Sequence, residues 1–533
     1  MRWNALLCGM WLCGLAALGQ QPERCSVEGQ VLREGSGEPL RKAQVLARRV
    51  DARDQSFSTA SDERGHFLLT GLEPGRYILS AERNGYLPQD YGQRRANQTG
   101  AMLTLLPGQH LGDIVFHLTP FGVISGRALD EDGDPIPRVQ IQTMRVSHQN
   151  GRRELTPIAS GTSDDRGDYR VFGLPPGRYY VSAAPAPSPR PGAPQPDEEG
   201  YVPFYYPGVT DPGQAAPLEL RAGGDIQGVD FRLTRTRTVR VRGRVLNAAT
   251  GRLERGIVVF LLPRGSGTAA SGPRTQNAIV DAQGNFEIRG VAPGSYLLSA
   301  FQADQQRRFF ARLPIDVGAA NLEGLNLTLG PGLEIAGRVR FEESGGRLEL
   351  VRVTLQSRSE GTGGTAAAVK SDGTFSLQNV AADSYTLAIA GLLEDGYVKS
   401  ARFGGIDALE RGLDLSRGDP PGPLDVVLSP AGGHIEGVVL MENQQPAAGA
   451  TVVLAPDAAR RTQAQLFRSA TANQYGRYVL RGIPPGDYRL FAWVDVEPGA
   501  WLDPDFLAEY EKRGETVSVD ERGRSTVQLK AIE

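Results

Sequence analysis

Apolar and polar residues alternate with period two in short runs separated by glycine, proline, asparagine and aspartate, the pattern of strands with one buried face joined by tight turns. Phe67 and Leu69 form one run, and Tyr77, Leu79 and Ala81 the next, with Pro74 and Gly75 at a turn between them. Asp62 and Gly65, a side-chain acceptor and a residue tolerant of positive φ, precede the first run and predict a hairpin turn.

This unit recurs four times. The second copy keeps Asp164, Gly167, Tyr169, Val171, Pro176, Gly177, Tyr179 and Val181 in step. The third has Asp281, Phe286, Ile288, Pro293, Gly294, Tyr296 and Leu298, and the fifth has Asn473, Gly476, Tyr478, Leu480, Pro485, Gly486, Tyr488 and Leu490. The fourth is degenerate: Gly373, Phe375 and Leu377 remain, but Ala382 and Asp383 stand where Pro-Gly stands elsewhere, ahead of Tyr385.

Upstream of each copy lies a shorter pattern of apolar, any, Gly, any, apolar, which reads as an opening strand. Downstream lies an alternating closing strand, as in Ile114, Phe116 and Leu118. The opening glycines Gly29, Gly126, Gly243, Gly337 and Gly437 are 97, 117, 94 and 100 residues apart.

The spacing predicts an all-β protein, a tandem array of five β-sandwich modules of packed antiparallel sheets. The modules are 20–119, 120–236, 237–331, 332–431 and 432–533. A Pro/Tyr-rich insertion, 185–217, interrupts the second. A short helix, 504–513, is expected in the fifth, with Asp503 as N-cap, Pro504 at the first position and Gly514 at the stop.

Composition agrees with short strands, since 66 glycines and 36 prolines in 533 residues leave little room for long helices. A formal net charge of −3 supplies no basic field, so nucleic acid is not an expected partner. The start of the chain, Arg2 followed by an apolar run from Ala5 to Leu18 and small residues at Ala17 and Gly19, reads as a signal peptide, 1–19, cleaved near Gly19. That predicts a secreted or periplasmic protein with no membrane span in its mature chain. Cys8 and Cys13 leave with the signal, and Cys25 alone excludes an internal disulfide.

The opening glycine strand, the second strand from Glu38 through Pro39 and Ala43 to Val45, and the Asp62, Gly65, Phe67, Pro74, Gly75, Tyr77 unit together resemble the carboxypeptidase regulatory-like domain family. The resemblance implies a transthyretin-like, seven-stranded Greek-key sandwich, also described as a carbohydrate-binding-like fold. The overall arrangement also resembles secreted multi-module proteins of acidobacteria.

The chemistry of a catalyst is not visible. His66, His110, His117, His148 and His434 form no zinc-binding spacing, and neither a nucleophile elbow nor a phosphate-cradling glycine loop occurs. The expectation is a non-enzyme with no catalytic residues, no cofactor and no metal. Asp130 to Asp134 lacks the distal glutamate of a calcium loop and reads as a turn. The five lysines, Lys42, Lys370, Lys399, Lys512 and Lys530, leave modules two and three without a lysine for an isopeptide cross-link.

Binding has one main candidate, the aromatic cluster Tyr201, Phe204, Tyr205 and Tyr206 in the insertion. Such rings either stack on a sugar or peptide, or pack on the sandwich edge as a proline-stiffened strap. Trp493, one odd step beyond Tyr488 and Leu490, reads as an outward-facing candidate, with Trp501 nearby. The sequence thus reads as a binding or scaffolding protein, with polysaccharide or an envelope protein as partner and carbohydrate the leading ligand on fold analogy. A structural spacer or protein–protein interaction array at the cell envelope is the alternative.

Overall fold

A computed structural model of the protein describes residues 23–533, apart from residue 53 and residues 94–97, 150–151, 186–198, 250, 253–255, 265–275, 304–307, 344–345, 359–363 and 419. The segment expected to be a signal peptide, 1–19, and the proline-rich start of the insertion lie outside the described residues.

Among the described residues the chain is almost wholly strand. Its buried apolar side chains form five large clusters in sequence order, around Phe116, Phe231, Phe286, Phe375 and Tyr478. Each cluster lies between two layers of one repeated topology. In the first unit the opening strand Cys25–Arg33 pairs antiparallel with His66–Leu72 and parallel with the closing strand His110–Leu118. Gln44–Arg49, flanked by Ser56–Ala60 and Gly75–Glu82, forms the facing layer. In the third unit both layers join in one seven-stranded sheet, where Arg308–Val317 pairs with Leu322–Pro331.

The layer that holds the opening strand is therefore mixed, while the facing layer is antiparallel as expected. Alternation reports which face of a strand is buried and carries no information on its direction.

The parallel closing strand accounts for the opening glycine. A β-carbon on Gly29, Gly126, Gly243, Gly337 or Gly437 would overlap the carbonyl of Ile114, Val229, Leu325, Leu424 or Val527, in that order. In the second and fifth units a tyrosine hydroxyl donates to that same carbonyl, Tyr169 to Val229 at 2.5 Å and Tyr478 to Val527 at 2.8 Å.

The turn acceptors close their own hairpins. Asp62 Oδ1 accepts from the amides of Arg64 and His66, each at 2.8 Å, and Asp164, Asp281 and Asn473 repeat this pair of bonds. Lys370 occupies the position in the fourth unit, where Asp372 Oδ1 takes the Thr374 amide instead. Asp130 likewise accepts from Asp132 and Asp134.

The recurrent tyrosine has one role in all five units. Its hydroxyl donates to the carbonyl four residues upstream, tying the turn to the strand that follows. The bonds are Tyr77 to Glu73 (2.9 Å), Tyr179 to Pro175 (2.6 Å), Tyr296 to Ala292 (2.9 Å), Tyr385 to Ala381 (2.8 Å) and Tyr488 to Pro484 (2.8 Å).

Burial pushes the Tyr385 and Tyr488 hydroxyls up to about 12 and raises those of Tyr77 and Tyr179. An unfolded phenol titrates near about 10, so folding favours the protonated form. The stabilisation is full below about pH 10 and is lost as pH rises through about 12. Phenolate absorbance followed against pH is therefore expected to lag for these tyrosines and to rise together with loss of β-sheet circular dichroism. Titration of every tyrosine with a midpoint near about pH 10 while the sheet stays intact would contradict their burial.

The units also touch beyond their neighbours in sequence. The first packs on the fifth: Gly92 and Gly449 meet so closely that a β-carbon on Gly449 would overlap the Gly92 carbonyl. Gln98, 6% exposed, donates to Thr451 Oγ1 at 3.2 Å, and the Gln474 amide makes two bonds to the Thr104 backbone, at 2.9 and 3.0 Å. From the second unit the strand Val139–Gln149 carries His148 to within 3.7 Å of Glu497 and 3.6 Å of Asp503.

Neighbouring units are tied as well. Lys399 bridges Glu342 (2.7 Å) and Glu521 (3.2 Å), joining the fourth unit to the fifth. Arg312 of the third pairs with Asp383 of the fourth at 2.9 Å.

Candidate functional site

The aromatic cluster of the insertion divides between core and surface. Phe204 and Tyr205 pair with Ala183 and Ser182 at the edge of the second unit's sheet. Phe204, 5% exposed, enters the main core, and Tyr205, 1% exposed, lies on the opposite face against Met144 and Leu155. Tyr201 and Tyr206 are half-buried against the main cluster, and the Arg235 guanidinium sits over the Tyr201 ring, 5.7 Å from its centroid. Two of the four sequence candidates thus present no ring to solvent, because consecutive residues of an edge strand are covered on both faces.

Trp493 lies on the outer face of its strand, as expected, but is not open to solvent. It is 2% exposed, stacked on Phe491 at 5.2 Å and met edge-on by Tyr510 at 5.6 Å. The helix Pro504–Tyr510 makes this second core by seating Leu507 and Phe506 against the outer face of the strand Gly486–Trp493. The Asp503 side chain caps it at the Asp505 amide, 3.0 Å away. The helix is shorter than 504–513, since residues 511–513 tighten into a 3₁₀ turn.

The histidines are dispersed. His110 contacts Ser26 Oγ at 2.8 Å and Glu28 at 3.2 Å, and His434 lies 3.7 Å from Glu436. Among the described residues no three His, Cys, Asp or Glu side chains converge to hold a metal ion. Cys25 is a free, buried thiol 3.0 Å from the Leu106 carbonyl.

Among the described residues a concave polar surface lies elsewhere, at the junction of the first and second units. An open cleft of about 660 Å³ is lined by Arg41, Lys42, Arg83, Asn84, Tyr86 and Phe121, with Glu82 at its side. Backbone bonds hold the wall in place: Tyr86 N to Arg83 O at 3.1 Å, Leu87 N to Thr119 O at 2.8 Å and Phe121 N to Gly85 O at 3.1 Å. Sequence reading passed over these residues because they come from three separate loops and carry no motif.

Fold and site together define an all-β protein of repeated sandwich units whose recurrent polar side chains close their own turns. Residues 26–106, within the first unit, match the carboxypeptidase regulatory-like domain family.

Several solved structures are similar at low identity. The Bacillus anthracis TIE protein is 12% identical with a TM-score of 0.18, over 58% of this chain and 51% of that one, so the match spans about half of that protein's length. GBS52, the minor pilin of Streptococcus agalactiae, is 12% identical with a TM-score of 0.23, over 40% of this chain and 96% of its own. BcpA, the major pilin subunit of Bacillus cereus, is 10% identical with a TM-score of 0.15, over 58% and 99%. A comparison with curated proteins finds no match. No helix of the described residues is long and apolar enough to cross a membrane.

Proposed function

We propose that the protein is a secreted or periplasmic, non-catalytic binding scaffold of the cell envelope, with carbohydrate as its ligand class. The observation that carries this reading is the use of the repeated side chains. The five tyrosine hydroxyls and the turn acceptors Asp62, Asp164, Asp281 and Asn473 are bonded to their own backbone, so what recurs is a device for building modules. The regulatory-like domain at residues 26–106 supports an accessory role. Contact between the first and fifth units counts against a rod-like spacer, whose ends would stand apart.

Module borders near residues 119, 236, 331 and 431 belong to the same proposal, as do Tyr201 and Tyr206 as a secondary contact. The test is retention of the purified mature chain on a panel of insoluble and immobilised polysaccharides, with release of reducing sugar and peptide followed in parallel. Retention without turnover is expected. No retention on any polymer would remove carbohydrate and leave a protein–protein scaffold, and turnover would overturn the non-catalytic part.

A further inference from the structure

The cleft between the first and second units holds three cations and one carboxylate in a chain whose formal net charge is −3. Arg41, Lys42 and Arg83 form no ion pair among the described residues. Cations left unpaired along a concave wall focus a positive field on whatever enters it.

Lys42 sits in a left-handed backbone conformation, φ 58°, which disfavours any residue with a β-carbon. The equivalent position is fixed by a backbone bond across to the next strand: Lys42 N to Ser61 O, Gly256 N to Val280 O and Gly449 N to Ala472 O. The third and fifth units place glycine there, at φ 71° and 77°, and the second places Arg138 at 60°. Gly449 is where the first unit docks, and Lys42 instead reaches into the cleft. The fold tolerates glycine at this position, so retention of a strained lysine beside Arg41 points to the charge.

The remaining lining is that of a sugar site. Tyr86 and Phe121 are half-buried, the Arg83 guanidinium lies 5.3 Å from the Tyr86 centroid, and Asn84 adds an amide that both donates and accepts. Guanidinium groups recognise carboxylates bidentately, and ring faces accept the apolar face of a pyranose. The geometry points to this cleft as a binding site for acidic polysaccharide, a uronate polymer in particular. The assignment rests on the carbohydrate reading above.

The experiment measures binding of the mature chain to polygalacturonate, alginate, dextran, starch and poly-glutamate at low and high salt. The comparison proteins are Arg41→Ser/Lys42→Gly/Arg83→Ser and Lys42→Gly alone. The uronate polymers should bind in a salt-sensitive way, and the triple variant should bind them at least about tenfold more weakly. Lys42→Gly alone should weaken binding while raising Tm, since glycine relieves the backbone, and this separates loss of charge from loss of fold. Unchanged uronate binding by the triple variant would overturn the cleft and leave the carbohydrate reading standing. Binding to dextran or starch alone would do the same. Equal binding of poly-glutamate would overturn the assignment to polysaccharide, and no binding to any polysaccharide would remove the carbohydrate reading itself.

Discussion

Gly437→Ala should severely destabilise the fifth module. Its new β-carbon would overlap the Val527 carbonyl and lie 3.0 Å from the Tyr478 ring. Neither can retreat, because the Tyr478 hydroxyl holds that carbonyl at 2.8 Å and the opening strand is bonded on both sides. The cost is about 4 kcal/mol or more, the range reached by backbone strain in a closed core. A module of this size has about 5–15 kcal/mol in all, so a loss of that size removes from about a quarter to most of its stability. Gly330→Ala is the control: nothing lies within 4 Å of a β-carbon there, and the change should fall within about 0.5 kcal/mol of neutral. Denaturant unfolding with Trp493 fluorescence reads the fifth module directly. A loss below about 1 kcal/mol for Gly437→Ala would show that the parallel closing strand is misplaced.

Asp383→Ala should loosen the junction of the third and fourth modules. Asp383 is 7% exposed and its carboxylate takes Arg312 at 2.9 Å, the Ser357 hydroxyl at 2.5 Å and the Ser384 amide at 2.8 Å. Removing it leaves a largely buried guanidinium without its counter-charge, which costs about 3 kcal/mol or more. Replacing both partners, Arg312→Met with Asp383→Leu, should come close to neutral, because desolvation of the pair is removed along with its attraction. A double-mutant cycle on thermal unfolding measures the coupling. Additive losses would mean that the two side chains do not meet.

The degenerate fourth repeat gains its explanation here. In sequence, Asp383 looked like decay of a Pro-Gly turn, whereas in the structure that turn is where the neighbouring module's arginine is received.

What the sequence displays is what local chemistry repeats. The opening glycine, the Asp-to-Gly hairpin and the turn tyrosine each answer a requirement met within one module, and five copies made them visible. The parallel course of the closing strand was hidden, since a period of two is the same in either direction.

For Trp493 the face was legible and its cover was not. Alternation assigns faces but not their exposure, and the helix Pro504–Tyr510 covers the outer side of the strand Gly486–Trp493. Phe204 and Tyr205 follow the packing alternative, one under the sandwich and the other under the hairpin of Met144 and Leu155.

Contacts between modules were the least legible. The docking of the first module on the fifth rests on Gln98, Gln474 and the meeting of Gly92 with Gly449, uncharged residues with no spacing that singles them out. The Lys42 position could have been found by aligning the five copies, because glycine stands at Gly256 and Gly449.

The central claim is that five modules close into one body, the first against the fifth, and small-angle X-ray scattering of the mature chain tests it most directly. A single compact domain of this length would have a radius of gyration of about 24 Å, and the closed five-lobed body should stay below roughly 30 Å. A string of five modules, each about 13 Å in radius of gyration, would give roughly 40 Å or more, and that value would contradict the account.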